Sequence, residues 1–407
     1  MPAREAAIDR DADSRPRLLI LSSTYPRWAG DSEPGFVHEL ARRLAGTFAV
    51  TVLCPHAPNA KRSERMDGVE VLRFRYAPAS LETLVAGGGL LGNLRRRPLK
   101  ALLLPFFLAA QLWATWRCIR RIEPDCVHAH WIVPQGAILA LLAFLGLRTP
   151  WLLTSHGGDL YSLRGAAWDA LKRSVLSRAD AVTVVSVAML AELERLGVDA
   201  GPVSVAPMGV DLGGTFVPGA GQARSPGEIL FVGRLVEKKG LRYLVEALAL
   251  LRDREPACSL TVAGAGPERE ALERQVRDLG LSERVRFLGP VAQADLPSLY
   301  RRAAVFVSPF VTAASGDREG LGLVVIEALG CGCPVIASDI PPLHDVPSDA
   351  LTLVPQANAA LLAGAIAACL DRSGESVADD GARLRAKYDW SAASGTYVRL
   401  LRALADS

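Results

Sequence analysis

The sequence predicts an α/β protein of two consecutive domains, each a parallel sheet layered with helices, facing one another across a cleft. Three observations carry this. The 407 residues exceed one ordinary core and suit two domains of roughly 150–200 residues. Short apolar runs alternate with helical periodicity along most of the chain. Between residues 210 and 227 that alternation stops in VDLGGTFVPGAGQARSPG, dense in Gly and Pro, and a second series then begins.

Residues 1–16 are charged and lack an apolar core, so they are read as a loose tail and not as a secretory signal. The first domain is placed at 17–212. Its strands are expected at 17–22 (RLLILS), 49–54, 69–74, 126–130, 151–155, 181–186 and 203–206. Continuous apolar runs of this length suit strands buried on both faces. Helices are expected at 36–44, where Phe36, Val37, Leu40 and Leu44 keep helical spacing, and at 136–147. A linker is placed at 213–227 and the second domain at 228–385. Its strands are expected at 229–232, 259–263, 285–288, 305–308 and 334–337, with helices at 241–251, 268–279, 296–302, 323–329 and 359–370. The remaining stretch, 386–407, carries a helix around 391–404 with no strand after it, and is expected to cross back onto the first domain. Two Rossmann-like units in series place ligands outside the carboxyl ends of their strands.

Composition narrows the function. Half the residues are hydrophobic, 22% are charged and the formal net charge is +3. This fits a packed protein and argues against a dedicated nucleic-acid binder. The seven cysteines (Cys54, Cys118, Cys126, Cys258, Cys331, Cys333 and Cys369) are scattered and point to a reducing cytosol. Cys331-Gly332-Cys333 reads either as a pair able to hold a metal or, the favoured reading, as small residues at a tight helix-to-strand turn. Residues 101–116 (ALLLPFFLAAQLWATW) carry no charge, fall short of the ~20 residues of a spanning helix, and are interrupted by Pro105. Arg95, Arg96, Arg97 and Lys100 precede them, and Arg117, Arg120 and Arg121 follow. Two readings stand: a buried core helix with a solvated basic entrance, or a surface that docks on anionic lipid.

Three segments carry candidate chemistry. In REGLGLVVIE, Glu319 and Glu327 are eight residues apart, and eight helical residues turn by about 80° overall. Both can approach one cleft if Glu319 stands at a helix mouth. Gly320, Leu321 and Gly322 would then offer backbone N–H groups to an anion. A polyol diphosphate fits; so does a Gly-rich helix start with two surface glutamates. In FVGRLVEKKG, the residues after Gly233 bring Arg234 and Lys239 to the carboxyl end of the second sheet. A planar fork and a point charge suit a diphosphate, or they belong to a solvated loop. In TSHGGDLY, His156 and Asp159 leave a strand of the first domain. His156 is either a ligand or proton-shuttling residue, or a structural one.

Other signals are discounted. Ala263-Gly264-Ala265-Gly266-Pro267 lacks the third glycine of a dinucleotide fingerprint. His128 and His130 point to one side of a strand, but no third metal ligand is near in sequence. No P-loop or nucleophile-elbow motif is present.

Taken in order, FVGRLVEKKGLRYLVEAL, LTVAGAGPEREALERQV, VRFLGPV, DLPSLYRRAAVFVSP and EGLGLVVIEALGCGCPVIASD resemble the donor domain of the retaining glycosyltransferase family numbered four, of GT-B architecture. SHGGDLY, ADAVTVVS and VAPMGVD in the first domain match too. The resemblance implies that Arg234 and Lys239 hold the donor diphosphate. It implies that Glu319 contacts the donor sugar beside the Gly320–Gly322 backbone, that Glu327 holds the ribose hydroxyls, and that His156 stands by the sugar. Asp159 and Gly233 join the donor site by position. No metal or other cofactor is implied. The first loop departs from the family pattern: relatives carry a Gly-Gly pair there, and Gly30 or Gly35 stands in for it. Ile340-Pro341-Pro342 also replaces a glycine pair.

The implied activity is transfer of a sugar from a nucleoside-diphosphate sugar to a glycan or lipid-linked acceptor, in polysaccharide or glycolipid synthesis, on the cytoplasmic face of an anionic membrane. Two alternatives are a GT-B sugar-nucleotide epimerase and a non-catalytic sugar-nucleotide-binding subunit. The glutamate pair argues against the first, and intact His156, Arg234, Lys239 and Glu319 argue against the second.

Overall fold

The computed structural model describes residues 14–31, 35–85, 90, 93–94, 97–198, 201–219, 224–255, 257–372 and 380–407. Most of the expected tail, Arg95, Arg96 and part of the expected linker lie outside them. The first domain runs β1 (Arg17–Leu21), α1 (Phe36–Leu44), β2 (Ala49–Pro55), β3 (Ser63–Met66), β4 (Val69–Phe74), α2 (Leu104–Ile122), β5 (Cys126–His130), α3 (Ala137–Phe144), β6 (Trp151–Ser155), α4 (Gly158–Tyr161), α5 (Ala166–Leu176), β7 (Ala181–Val184), α6 (Ala188–Leu196) and β8 (Val203–Val205). The second runs β9 (Ser225–Val232), α7 (Leu241–Leu251), β10 (Ser259–Ala263), α8 (Arg269–Asp278), β11 (Val285–Gly289), α9 (Leu296–Arg302), β12 (Ala303–Ser308), α10 (Leu323–Gly330), β13 (Val335–Ser338), β14 (Leu351–Val354) and α11 (Ala359–Asp371). Two helices follow, α12 (Gly381–Tyr388) and α13 (Trp390–Ala405).

The first sheet is ordered β3-β4-β2-β1-β5-β6-β7-β8 and the second β11-β10-β9-β12-β13-β14. Every neighbouring pair is parallel except β3–β4. Chain order reverses direction at β1 and at β9. The crevices beside β1–β5 and β9–β12 are therefore where such sheets bind ligands. The central strands are buried on both faces, β5 completely.

Four sequence expectations change. Strand β3 has no place in the sequence pattern, because SERM is polar and partly exposed at a sheet edge, with only Met66 buried. Its hairpin turn, Asp67-Gly68, has φ of 46° and 85°, the geometry an Asp-Gly pair favours. Strand β14 is likewise additional, and β9 begins at Ser225, inside the expected linker. The apolar helix is longer than expected. Pro105 stands in its first turn, where a missing N–H costs no helical bond. With the preceding 3₁₀ turn the helical segment covers Pro98–Ile122, 25 residues, long and apolar enough to cross a membrane by length and composition, with 28% of its apolar window buried. It is the crossover from β4 to β5. Phe107, Gln111, Thr115, Cys118, Ile119 and Ile122 face the sheet, while Phe106, Trp113 and Trp116 face outward.

Helix α12 packs on α10 of the second domain, and α13 returns to the first domain, against α1, β5 and β6. Val210 N–H donates to the Tyr388 carbonyl at 2.8 Å and Trp390 N–H to the Val210 carbonyl at 3.2 Å. The Tyr397 hydroxyl donates to the Ala206 carbonyl at 2.8 Å, and the Arg43 guanidinium lies 4.7 Å from the Trp390 ring.

Candidate active site

On the second-domain side, β9 ends at Gly233 and a 3₁₀ turn, Glu237–Lys239, follows. That turn aims Lys239 back across the end of β12. Its Nζ donates to Glu319 Oε2 at 2.8 Å and lies 4.7 Å from the centre of the Phe310 ring. Burial raises the Glu319 carboxyl, but the charges of Lys239 and Lys238, the Lys239 bond and the Gly320 N–H together bring it from 4.5 to about 2. Glu319 is thus a nearly enclosed carboxylate fixed in its ionised form. Lys238, which carries no signal of its own in the sequence, bonds Asp317 Oδ1 at 3.2 Å and supports the same loop. Arg234 stands exposed at the rim.

Glu327 lies in α10, buried, and not on the surface. Gln293 Nε2 donates to its Oε1 and the Tyr300 hydroxyl to its Oε2, both at 3.0 Å. Burial raises its pKa against those two bonds. Gln293 lies outside the quoted motifs, and Tyr300 lies inside DLPSLYRRAAVFVSP, although nothing in that segment marks it as a site residue. Gly322 caps α10 with φ of 83°, and Leu321 is buried. The Gly320 N–H helps to hold the Glu319 carboxyl below its usual range.

On the first-domain side, β6 delivers His156 and Gly157 to the same place. A Cβ on Gly157 would approach Gly320 Cα to 2.9 Å, and one on Gly320 would approach the His156 carbonyl oxygen to 2.5 Å. The two loops therefore touch backbone to backbone, which only glycines permit. Phe36 and Trp131 each hold the His156 ring at 5.0 Å, and His130 Nδ1 lies 2.9 Å from His156 Nε2. Burial pushes His156 down to about 3.

The expectation for Asp159 is corrected. It is buried and turned into the loop: Oδ2 accepts from Ile132 N–H at 2.7 Å, and Oδ1 from Ser155 Oγ at 3.0 Å and His156 N–H at 3.2 Å. It braces the His156 turn. Gly35 precedes α1 and so presents Phe36 to His156, whereas Gly30, at φ of 79°, borders open space where a side chain would stand. Gly264 and Gly266, the half fingerprint, are explained by close chain approach; a Cβ on Gly264 would collide with the Gly233 carbonyl oxygen, and one on Gly266 with that of Leu235. Among the described residues no group of three or more His, Cys, Asp or Glu converges as metal ligands.

An opening beside Glu319 is lined by Tyr161, Phe310, Thr312, Arg318, Pro341 and Gln356. Arg318 walls it on one side, its guanidinium 4.1 Å from the Tyr161 ring centre and 3.6 Å from Glu192. Beyond Arg318 a second opening is lined by Arg164, Gly165, Asp169, Glu192 and Arg195.

Two facing parallel-sheet domains, with an ionised carboxylate, a lysine and a histidine loop at their junction, define a glycosyltransferase of the GT-B architecture. The sequence matches Glycosyltransferase Family 4 over residues 36–213 and Glycosyl transferases group 1 over 220–383. It is 30% identical to a glycogen synthase of Mycobacterium tuberculosis across 92% of this chain and 91% of that one. It is 31% identical to a phosphatidyl-myo-inositol mannosyltransferase of Mycobacterium leprae across 70% and 74%. In structure it superposes on the sucrose-phosphate synthase of Thermosynechococcus elongatus with a TM-score of 0.79 and 25% identity, covering 96% and 99%. It also superposes on Anabaena HepE in complex with UDP-glucose, with a TM-score of 0.71 and 18% identity, covering 96% and 100%. The chain belongs to glycosyltransferase family 4.

Proposed function

We propose that this chain is a retaining, metal-independent glycosyltransferase that moves a sugar from a nucleoside-diphosphate sugar to a hydroxyl of a glycan or lipid-linked acceptor. The observation that carries the reading is the Lys239–Glu319 pair, 2.8 Å apart, with the His156–Gly157 loop against it. In the reaction the bond from sugar C1 to the diphosphate oxygen breaks. A bond from C1 to the acceptor oxygen forms on the same face, and the acceptor proton passes to the departing phosphoryl oxygen. Negative charge grows on that diphosphate, where Lys239 and Arg234 supply fixed positive charge. The Lys239 ammonium has three donors, enough to serve Glu319 and a phosphate together. Ionised Glu319 accepts from sugar hydroxyls, and Glu327 keeps lone pairs for the ribose.

Acceptor and location are part of the same proposal. Phe106, Trp113 and Trp116 on α2, and Leu141, Phe144 and Leu145 at the end of neighbouring α3, are exposed. Arg97, Arg117, Arg120, Arg121 and Arg148 are exposed on the same segments. Aromatic rings among arginines suit the headgroup region of an anionic bilayer, here the cytoplasmic leaflet. A lipid-linked acceptor would enter through the opening lined by Arg164 and Arg195. Such an enzyme serves polysaccharide or glycolipid synthesis.

Calorimetry with UDP-, GDP-, ADP- and dTDP-sugars without added metal tests the donor site. Binding of one sugar, weakened in Arg234→Ala, is expected. NMR of the product then gives the anomeric configuration, and inversion at C1 overturns the retaining assignment.

A further inference from the structure

We propose that His130 fixes the tautomer of His156, so that His156 meets the substrate as a neutral Nδ1–H donor and not as a base. The inference rests on the glycosyltransferase reading only for its substrate. Its geometry stands alone.

Three imidazoles line up from the first sheet toward the cleft. His128 and His130, two apart on β5, have ring centres 4.1 Å apart. The His130 and His156 rings lie nearly coplanar, planes 11° apart and centres 5.2 Å apart, and meet edge to edge with His130 Nδ1 2.9 Å from His156 Nε2. Such a bond needs one N–H and one lone pair. Two arrangements satisfy it. If His156 donates, the proton of neutral His130 must sit on Nε2, which is buried with no partner. If His130 donates from Nδ1, its Nε2 keeps only a bare lone pair. Orphaned buried N–H groups are the rarer defect, so the second arrangement is favoured.

His128 shows the same pattern. Thr154 Oγ1 lies 2.6 Å from Thr183 Oγ1, and both hydroxyls also reach Tyr397, whose own proton goes to the Ala206 carbonyl. One threonine proton therefore goes to Tyr397 and the other lies between the two threonines. Thr154 then accepts from His128 Nε2–H at 2.7 Å. His128 Nδ1 is left as a buried lone pair without a partner. The interior around these rings thus already leaves one nitrogen lone pair bare.

With Nε2 occupied, His156 has Nδ1–H for the ligand. Trp131 helps hold that ring. It takes φ of 76° and ψ of 137°, a backbone region that strains a non-glycine residue, and its ring stands 5.0 Å from His156. An N–H donor recognises an oxygen acceptor, either a sugar hydroxyl or a phosphoryl oxygen. It takes no proton from the acceptor alcohol, which leaves that task to the departing diphosphate. His130 is accordingly a positioning residue.

The test is ¹⁵N NMR of histidine-labelled full-length protein, with His156→Gln to assign the signal. The expected spectrum has His156 protonated at Nδ1 and bare at Nε2. Protonation at Nε2 overturns the proposal, and because this readout needs no turnover it fails independently of the proposed reaction. Turnover with the donor found by calorimetry is the second arm. His130→Asn places an N–H donor near the position of Nδ1 and is expected to keep activity within several-fold. His130→Asp offers only an acceptor and is expected to lower kcat about 100-fold with a smaller change in donor KM. Equal activity of the two variants also overturns it.

Discussion

Gly157 and Gly320 meet backbone to backbone, one from each domain, with room for no side chain on either. Gly320→Ala would place a methyl 2.5 Å from the His156 carbonyl oxygen, an atom of the main chain that has no flexible end to move aside. The loops must then separate. We expect kcat/KM to fall about 100-fold, the effect of roughly 1 Å of misplacement. Circular dichroism should stay unchanged, because the contact lies outside both cores. Full activity in this variant would mean that the loops need not touch during turnover.

Lys239→Ala is expected to abolish transfer, and it also has a signature independent of activity. The Glu319 carboxyl is held at about 2 in place of 4.5. A depressed folded value contributes stability above the unfolded pKa, lost as pH falls through the folded one. The melting-temperature gap between wild type and Lys239→Ala should be widest above about pH 4.5 and shrink toward pH 2. A gap that does not change with pH would show that the pair adds nothing to folding.

Glu327 is held by two hydrogen bonds, so Tyr300→Phe removes one donor and leaves a buried carboxylate oxygen without it. A loss of about 1–3 kcal/mol in denaturant unfolding is expected. The donor KM should rise while kcat changes little, because a ribose contact is made equally in ground and transition states. A fall in kcat alone would remove Glu327 from the ribose site.

Phe106, Trp113 and Trp116 replaced by Ser should release the protein from vesicles containing phosphatidylglycerol. High salt should weaken wild-type binding through its arginine component. Wild-type protein that ignores such vesicles at low salt would end the docking proposal.

Arg195→Gln is expected to raise acceptor KM and leave donor binding unchanged, since Arg195 lines the opening beyond Arg318 and not the one beside Glu319. Donor calorimetry and acceptor kinetics separate the two effects.

The fold is legible in the sequence where strands are buried on both faces. RLLIL and CVHAH leave no alternative to interior positions once placed in series. β3 is illegible because SERM, at a sheet edge, has no apolar run, and β14 because its four residues, LTLV, are too short a run to stand apart from a loop. In the site, spacing within each motif brings out Lys239 and Glu319, but not that residues 80 apart in sequence bond to each other. A carboxylate at a strand exit reads the same whether it faces a ligand or its own loop, and Asp159 faces its loop. His130 reads in sequence as half of an incomplete metal site; its actual partner, 26 residues away on the next strand's exit, is invisible to local pattern.

The pairing of Val210 with both Tyr388 and Trp390 has a mechanical consequence. The chain passes between the domains twice, and the outgoing and returning passages lie side by side, hydrogen-bonded together. Two bonded passages resist pulling apart along their length but yield to twisting about it. Opening of the cleft to admit a donor is then a rotation around this double seam, with residues far from it sweeping the widest arc. A single proteolytic cut between the sheets would leave both halves tethered, because the first domain is completed by the returning helix.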